Sequence, residues 1–127
     1  MKRLIVFPKG EQKKNQQRFE LLYGAILLGA KPDKPRGGIE VFRREGRILD
    51  ALESIAPLDT SSEAKPLGAN EPGRKVHEDG GEFELQQADF DYLLEQLKTV
   101  DWLPTVARKV VDAVDWLTLS VEVKPAE

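Results

Sequence analysis

Histidine and paired carboxylates are the side chains in this sequence whose chemistry could support catalysis or metal binding. His77 is the one histidine, and the sequence has no cysteine. A zinc site draws its ligands from several His, Cys or acidic side chains, and a general base must lie within hydrogen-bond reach of the proton it removes. We therefore predict a surface or packing role for His77, with no metal ion bound.

Carboxylates occur in four close pairs in the second half of the sequence. Such pairs can hydrolyse glycosides or hold a magnesium ion beside a phosphate. The pairs are Glu78/Asp79, Glu82/Glu84, Asp89/Asp91 and Asp112/Asp115. All four fall on predicted exposed faces or at helix starts, so we expect solvated carboxylates rather than catalytic ones.

Glycine doublets are the remaining pattern that could bind a phosphate group. Gly37-Gly38 and Gly80-Gly81 belong to neither a P-loop nor a G-x-G-x-x-G turn. The serines lack the sequence context of a nucleophile elbow. We therefore predict no catalytic residue, no cofactor and no enzymatic activity.

Charge is distributed unevenly along the chain. Residues 1–47 contain twelve Lys or Arg against five Asp or Glu, whereas residues 48–127 contain seven against seventeen. A basic end can bind an anionic partner such as nucleic acid. It can also dock on the acidic half of the next copy, or pack against the acidic half of its own chain.

Nine basic residues are the candidate contacts to a nucleic acid or a protein partner. They are Lys9, Lys13, Lys14, Arg18, Lys34, Arg36, Arg43, Arg44 and Arg47. Few aromatic residues lie between them, and no zinc finger, RNP motif or helix-turn-helix is present. Trp102 and Trp116 are candidate interface anchors, because tryptophan is enriched at binding hot spots; the alternative for both is a place in the core.

Hydrophobic periodicity predicts the elements that position these residues. Residues 3–7 form an apolar run that predicts a strand. Residues 18–30 predict a helix that is apolar almost all round and therefore buried. Residues 39–56 predict one helix; the alternative is a strand at 39–43 and a helix from Arg47.

The second half of the sequence predicts further helices and strands. Extended runs on both sides of Asp79-Gly80-Gly81 predict a β-hairpin. Residues 86–100 and 104–117 each predict a helix with one apolar face, the second starting at Pro104. The alternating tail can add an edge strand. The fold class is therefore α+β: one domain over residues 1–127, with about four helices, a hairpin and one or two short strands.

Residues 57–74 interrupt this pattern with an irregular stretch rich in Pro, Gly and Ser. Loops longer than about 12–15 residues are uncommon in compact domains and are usually functional or disordered. We expect this arm to be ordered by a neighbouring chain.

These patterns favour a non-enzymatic subunit of a larger assembly that docks through its charge-split surface and the arm. The combination has the general style of a phage or virion subunit, although no motif carries that likeness. The alternative is a small nucleic-acid-binding regulator that uses the basic first 47 residues. Apolar runs are too short to span a bilayer. We therefore expect no membrane partner and a cytoplasmic location, or a virion-associated one if the source is viral.

Overall fold

Four helices and a small antiparallel sheet make up the part of the chain that the structure describes. A computed structural model of the chain describes residues 2–28, 38–61, 73–100, 102 and 104–123. In chain order the elements are β1 (Lys2–Phe7), α1 (Gln12–Leu28), α2 (Ile39–Glu53), β2 (Gly81–Gln86), α3 (Gln87–Thr99), a 3-10 turn (Pro104–Val106), α4 (Ala107–Thr118) and β3 (Val121–Val123). The α+β class is therefore confirmed.

The sheet has the strand order β2-β1-β3, with both neighbours antiparallel to β1. Ile5 pairs with Phe83, and both side chains are buried beneath the helices. Val6 and its partner Glu82 are exposed on the opposite face. This alternation is typical of an antiparallel sheet that is covered on one face only. The tail forms the predicted edge strand, as β3.

Helix α1 runs through the centre of the helical layer and contacts α2, α3 and α4. Its buried residues include Phe19, Leu22 and Tyr23, as the nearly all-round apolar pattern predicted. The helix begins at Gln12, six residues before the predicted start at residue 18. The polar first turns are helical because Asn15 is buried and its side-chain amide donates to the Pro8 carbonyl, at 2.8 Å.

The predicted hairpin around Asp79 is not formed. A turn is present, closed by a 2.9 Å bond from the Gly80 N–H to the His77 carbonyl. However, the strand that follows it pairs along its whole length with β1, from the start of the chain. Gly80 has a φ of +74°, and a Cβ there would collide with the Phe7 carbonyl oxygen. Close packing of this turn against β1 therefore requires glycine.

The segment before that turn pairs instead with the chain that leaves α2. Leu58 and Arg74 form an antiparallel bridge. The Asp59 N–H donates to the Gly73 carbonyl at 2.9 Å, and the Lys75 N–H donates to the Pro57 carbonyl at 3.0 Å. The two ends of the predicted arm are therefore joined at its base. Residues 62–72 of the arm lie outside the described residues.

Helices α2, α3 and α4 each bury one apolar face. Helix α2 is continuous from Ile39 to Glu53, which confirms one helix rather than a strand and a helix. Ile48 and Leu52 face the core, as do Leu93 on α3 and Leu117 on α4. Pro104 opens the 3-10 turn that leads into α4.

Candidate interaction surface

Two of the candidate basic residues bind a carboxylate of their own chain. Arg47 donates from Nε to Oδ2 of Asp89 at 2.9 Å and from Nη2 to Oδ1 at 3.1 Å. Arg44 Nε lies 3.2 Å from the same Oδ1. The hydrogen bonds that Arg47 donates to Asp89 raise the pKa of Arg47 above its ordinary value. These arginines therefore join α2 to the first turn of α3.

Asp89 differs from the solvated carboxylate expected at this position. Its side chain is only 4% exposed. A buried carboxylate needs charged or hydrogen-bonding partners, which Arg44 and Arg47 supply from the neighbouring helix. The Asp-x-Asp spacing at the start of α3 does not indicate that Asp89 is buried and paired, because the two arginines lie about 40 residues earlier in the sequence.

Arg18 is also engaged within the chain. Its guanidinium lies over the Trp116 ring, 4.8 Å from the centroid. The same group lies 3.5 Å from Asp112 and 4.0 Å from Glu11. Because the Arg18 side chain is buried, it contributes to packing between α1 and α4 rather than to an open basic patch.

The other candidate basic residues divide into three groups. Lys9 lies 3.8 Å from Asp79, and Arg43 lies 3.1 Å from Glu40; both pairs are exposed and therefore weak. Lys13 and Lys14 are exposed on α1. Lys34 and Arg36 lie outside the described residues.

Both tryptophans are half-buried against the core. The Trp102 indole N–H donates to the Leu97 carbonyl at 2.9 Å. Trp116 meets the edge of the Phe7 ring, with centroids 4.9 Å apart. These contacts correspond to the alternative stated above, a place in the core for each tryptophan. A contact of either residue to a partner stays a prediction.

His77 lies on the exposed turn before β2. Its Nδ1 accepts a 3.4 Å hydrogen bond from the Asp79 N–H and lies 3.9 Å from the Asp79 carboxylate. The described part of the chain contains no group of three or more His, Asp or Glu residues placed to hold a metal ion. Within the same ranges, no helix is both long and apolar enough to cross a bilayer.

A mixed-charge groove of about 450 Å³ lies between α1 and the base of the arm. Lys13, Arg74 and Lys75 line it together with Glu20 and Asp59. Within it the Ser61 hydroxyl and N–H both bond to the Asp59 carboxylate, which lowers the pKa of Asp59. Because charges of both signs line this groove, it does not favour a polyanion.

Helix α2 presents large apolar side chains to solvent. Ile39 is 61% exposed and Phe42 is 57% exposed. Gly46 and the half-buried Leu49 continue their line along the helix, at steps of four and three residues. We call these four residues the α2 stripe. The sequence pattern identified the buried side of α2, but it did not identify the stripe as a second apolar surface.

Other large apolar side chains are also exposed, Leu119 to 83%. Leu119 and Val6 are exposed beside a cavity of about 190 Å³ that Leu4, Trp116 and Leu117 also line. Val111 and Leu58 are exposed singly, as is common on protein surfaces. The α2 stripe differs from these because its two exposed side chains lie one turn apart on a regular helix.

Comparisons of the chain with protein-family models, curated protein sequences and solved structures gave no match.

Proposed function

We propose that this chain is a non-enzymatic protein–protein interaction subunit that assembles with further copies or other proteins through the α2 stripe. The observation that carries the proposal is the exposure of Ile39 and Phe42 on successive turns of one helix. Burying large apolar side chains against a partner is favourable by about 25 cal/mol per Å² of apolar surface.

The charges of the chain support an apolar rather than an electrostatic docking surface. Ion pairs already connect the basic first part to the acidic second part, from Lys2 to Glu84 and from Arg18 to Asp112. The pairs of Arg44 and Arg47 with Asp89 add to them. Of the explanations given above for the uneven charge, these pairs favour the one in which the basic and acidic halves of one chain pack against each other. We therefore place docking on the stripe, not on the charge split.

Two carboxylates of α2 have structural partners, which supports a role other than catalysis for them. Glu45 accepts a hydrogen bond from the Tyr92 hydroxyl at 3.0 Å. Glu53 accepts one from the Tyr23 hydroxyl at 2.8 Å. The cytoplasmic location expected from the sequence remains part of this proposal.

Light scattering tests this function through the mass of the full chain in solution. Mass is measured at about 50 mM and about 1 M salt, with and without a short DNA duplex. We expect a multimer that persists in high salt and ignores the duplex, because burial of apolar surface survives salt, whereas phosphate contacts weaken steeply. A monomer that changes mass only when DNA is present would overturn the proposal and favour the basic residues Lys13 and Lys14.

A further inference from the structure

The α2 stripe has the spacing of a helix-pairing surface. Ile39, Phe42, Gly46 and Leu49 follow one another at steps of three, four and three residues, which keeps them on one side of a helix. We infer that the partner seated on this stripe is α2 of a second copy, lying antiparallel to the first. This inference rests on the proposed function and names the partner of the same surface.

Charge beside the stripe selects a second copy in the antiparallel orientation. Arg43 and Asp50 are both exposed and lie seven residues apart, on the same flank of α2. In an antiparallel pair whose twofold axis passes beside residues 46 and 47, Arg43 of each copy lies near Asp50 of the other. The twofold symmetry of such an interface makes each contact twice.

The parallel arrangement of the two helices cannot use the same charges. Its twofold axis runs along the helices, so Arg43 and Asp50 of one copy lie on the side of the interface opposite to those of the other copy, and no attraction between them forms. Arg43 lies 3.1 Å from Glu40, in an exposed pair that a second copy can displace at little cost.

Gly46 lies near the middle of the proposed contact. A Cβ at this position would meet no atom within 4 Å in its own chain, so the space beside it is open. Packed helix axes lie 8–10 Å apart, depending on the side chains between them. Glycine at the twofold axis permits the close end of that range, which brings Phe42 over the part of the second copy that contains Leu49.

A charge-swap experiment on the full chain tests the antiparallel pair. Sedimentation equilibrium gives the dimer Kd for the wild type, for Arg43→Asp, for Asp50→Arg and for the double variant. We expect each single change to raise the Kd about tenfold, because two attractive contacts become repulsive. The double variant restores the contacts with their signs exchanged, so its Kd should return to within about threefold of the wild-type value.

The double variant and two control variants on α4 separate the local effects of the substitutions from their effect on the contact between copies. Arg43→Asp also places a carboxylate beside Glu40, but the double variant carries the same local repulsion. A return of the dimer Kd in the double variant therefore reports the contact between the two copies. Arg108→Asp and Asp115→Arg are matched controls, since both residues are exposed on α4 and also lie seven residues apart. We expect these controls to leave the Kd within about twofold.

The outcomes distinguish this inference from the proposed function. Wild-type self-association with no recovery in the double variant, or with α4 controls as disruptive as the α2 changes, overturns the antiparallel pair and leaves the interaction role standing. A wild-type chain that stays monomeric to millimolar concentration overturns the inference outright. If that monomer also gains mass with DNA, the proposed function fails as well.

Discussion

Asp89 shows how one buried side chain can organise the contact between two helices. The carboxylate receives Arg47 through two hydrogen bonds and Arg44 at 3.2 Å, while its own side chain is almost fully buried. Removing the charge leaves two guanidinium groups side by side without their shared anion. Loss of one partner of such a group costs more than the intact group contributes.

Asp89→Asn should therefore destabilise the fold by about 2 kcal/mol, as expected for hydrogen bonds to charged groups. Asp91→Asn is the matched control, since Asp91 is exposed two residues further along the same helix. Both residues lie near the start of α3 and interact with the helix dipole. Asp91 also accepts a 2.8 Å hydrogen bond from the Gln87 amide, which an asparagine oxygen can accept as well. The difference between the variants therefore reports mainly the arginine contacts. Urea denaturation measures both; equal losses would contradict this role for Asp89.

Glutamine side chains on α1 fix the position of an irregular segment. Gln16 accepts a 2.8 Å hydrogen bond from the Val76 N–H and donates one of 2.8 Å to the Arg74 carbonyl. Gln12 donates to the Val76 carbonyl at 3.2 Å. These amides bind the backbone as a neighbouring strand would. The base of the arm is thus attached to the first turns of α1.

Gln16→Ala should cost about 1–3 kcal/mol of stability, because the N–H of the buried Val76 loses its partner. Gln17→Ala, one residue along, should change stability by less than about 0.5 kcal/mol. Urea denaturation gives both values, and limited proteolysis of Gln16→Ala should cut the chain faster near residues 73–76. Identical behaviour of the two variants would show that Gln16 does not secure this segment.

Local periodicity predicts that the four helices exist, although it does not predict where α1 begins. The buried apolar faces of α2, α3 and α4 can be predicted because helix geometry repeats every 3.6 residues and does not depend on the rest of the fold. The pattern does not predict the start of α1, because its first turns carry Gln and Asn. The role of these residues depends on hydrogen bonds to backbone groups of Pro8, Arg74 and Val76, which lie outside the helix.

Partners distant in sequence explain the other differences. The sequence around Asp79 shows a turn, but it does not show that β1 lies closer to β2 than the preceding segment does. Pairing of Asp89 with Arg44 and Arg47 is similarly non-local. The periodicity of α2 places Ile39 and Phe42 off its buried face, but it does not show whether another part of the chain covers them, and that requires the structure.

Across the whole molecule, the uneven charge of the sequence is largely an internal feature. Basic residues from the first part meet acids of the second part at the sheet, at α4 and at the start of α3. Exposed apolar surface on α2 then becomes the feature that most favours a partner. This surface supports one claim about α2: we propose that two copies meet there, antiparallel, near Gly46.

Cysteine cross-linking tests that claim most directly, because the natural sequence has no cysteine. Gly46→Cys places one thiol per copy near the proposed twofold axis, and a disulfide forms readily only when the two Cα atoms lie within about 7 Å. Val111→Cys, at an exposed position on α4, is the control. We predict that mild oxidation converts Gly46→Cys to a covalent dimer and leaves Val111→Cys mainly monomeric on a non-reducing gel. Equal cross-linking of both variants, or none at residue 46, would contradict the claim.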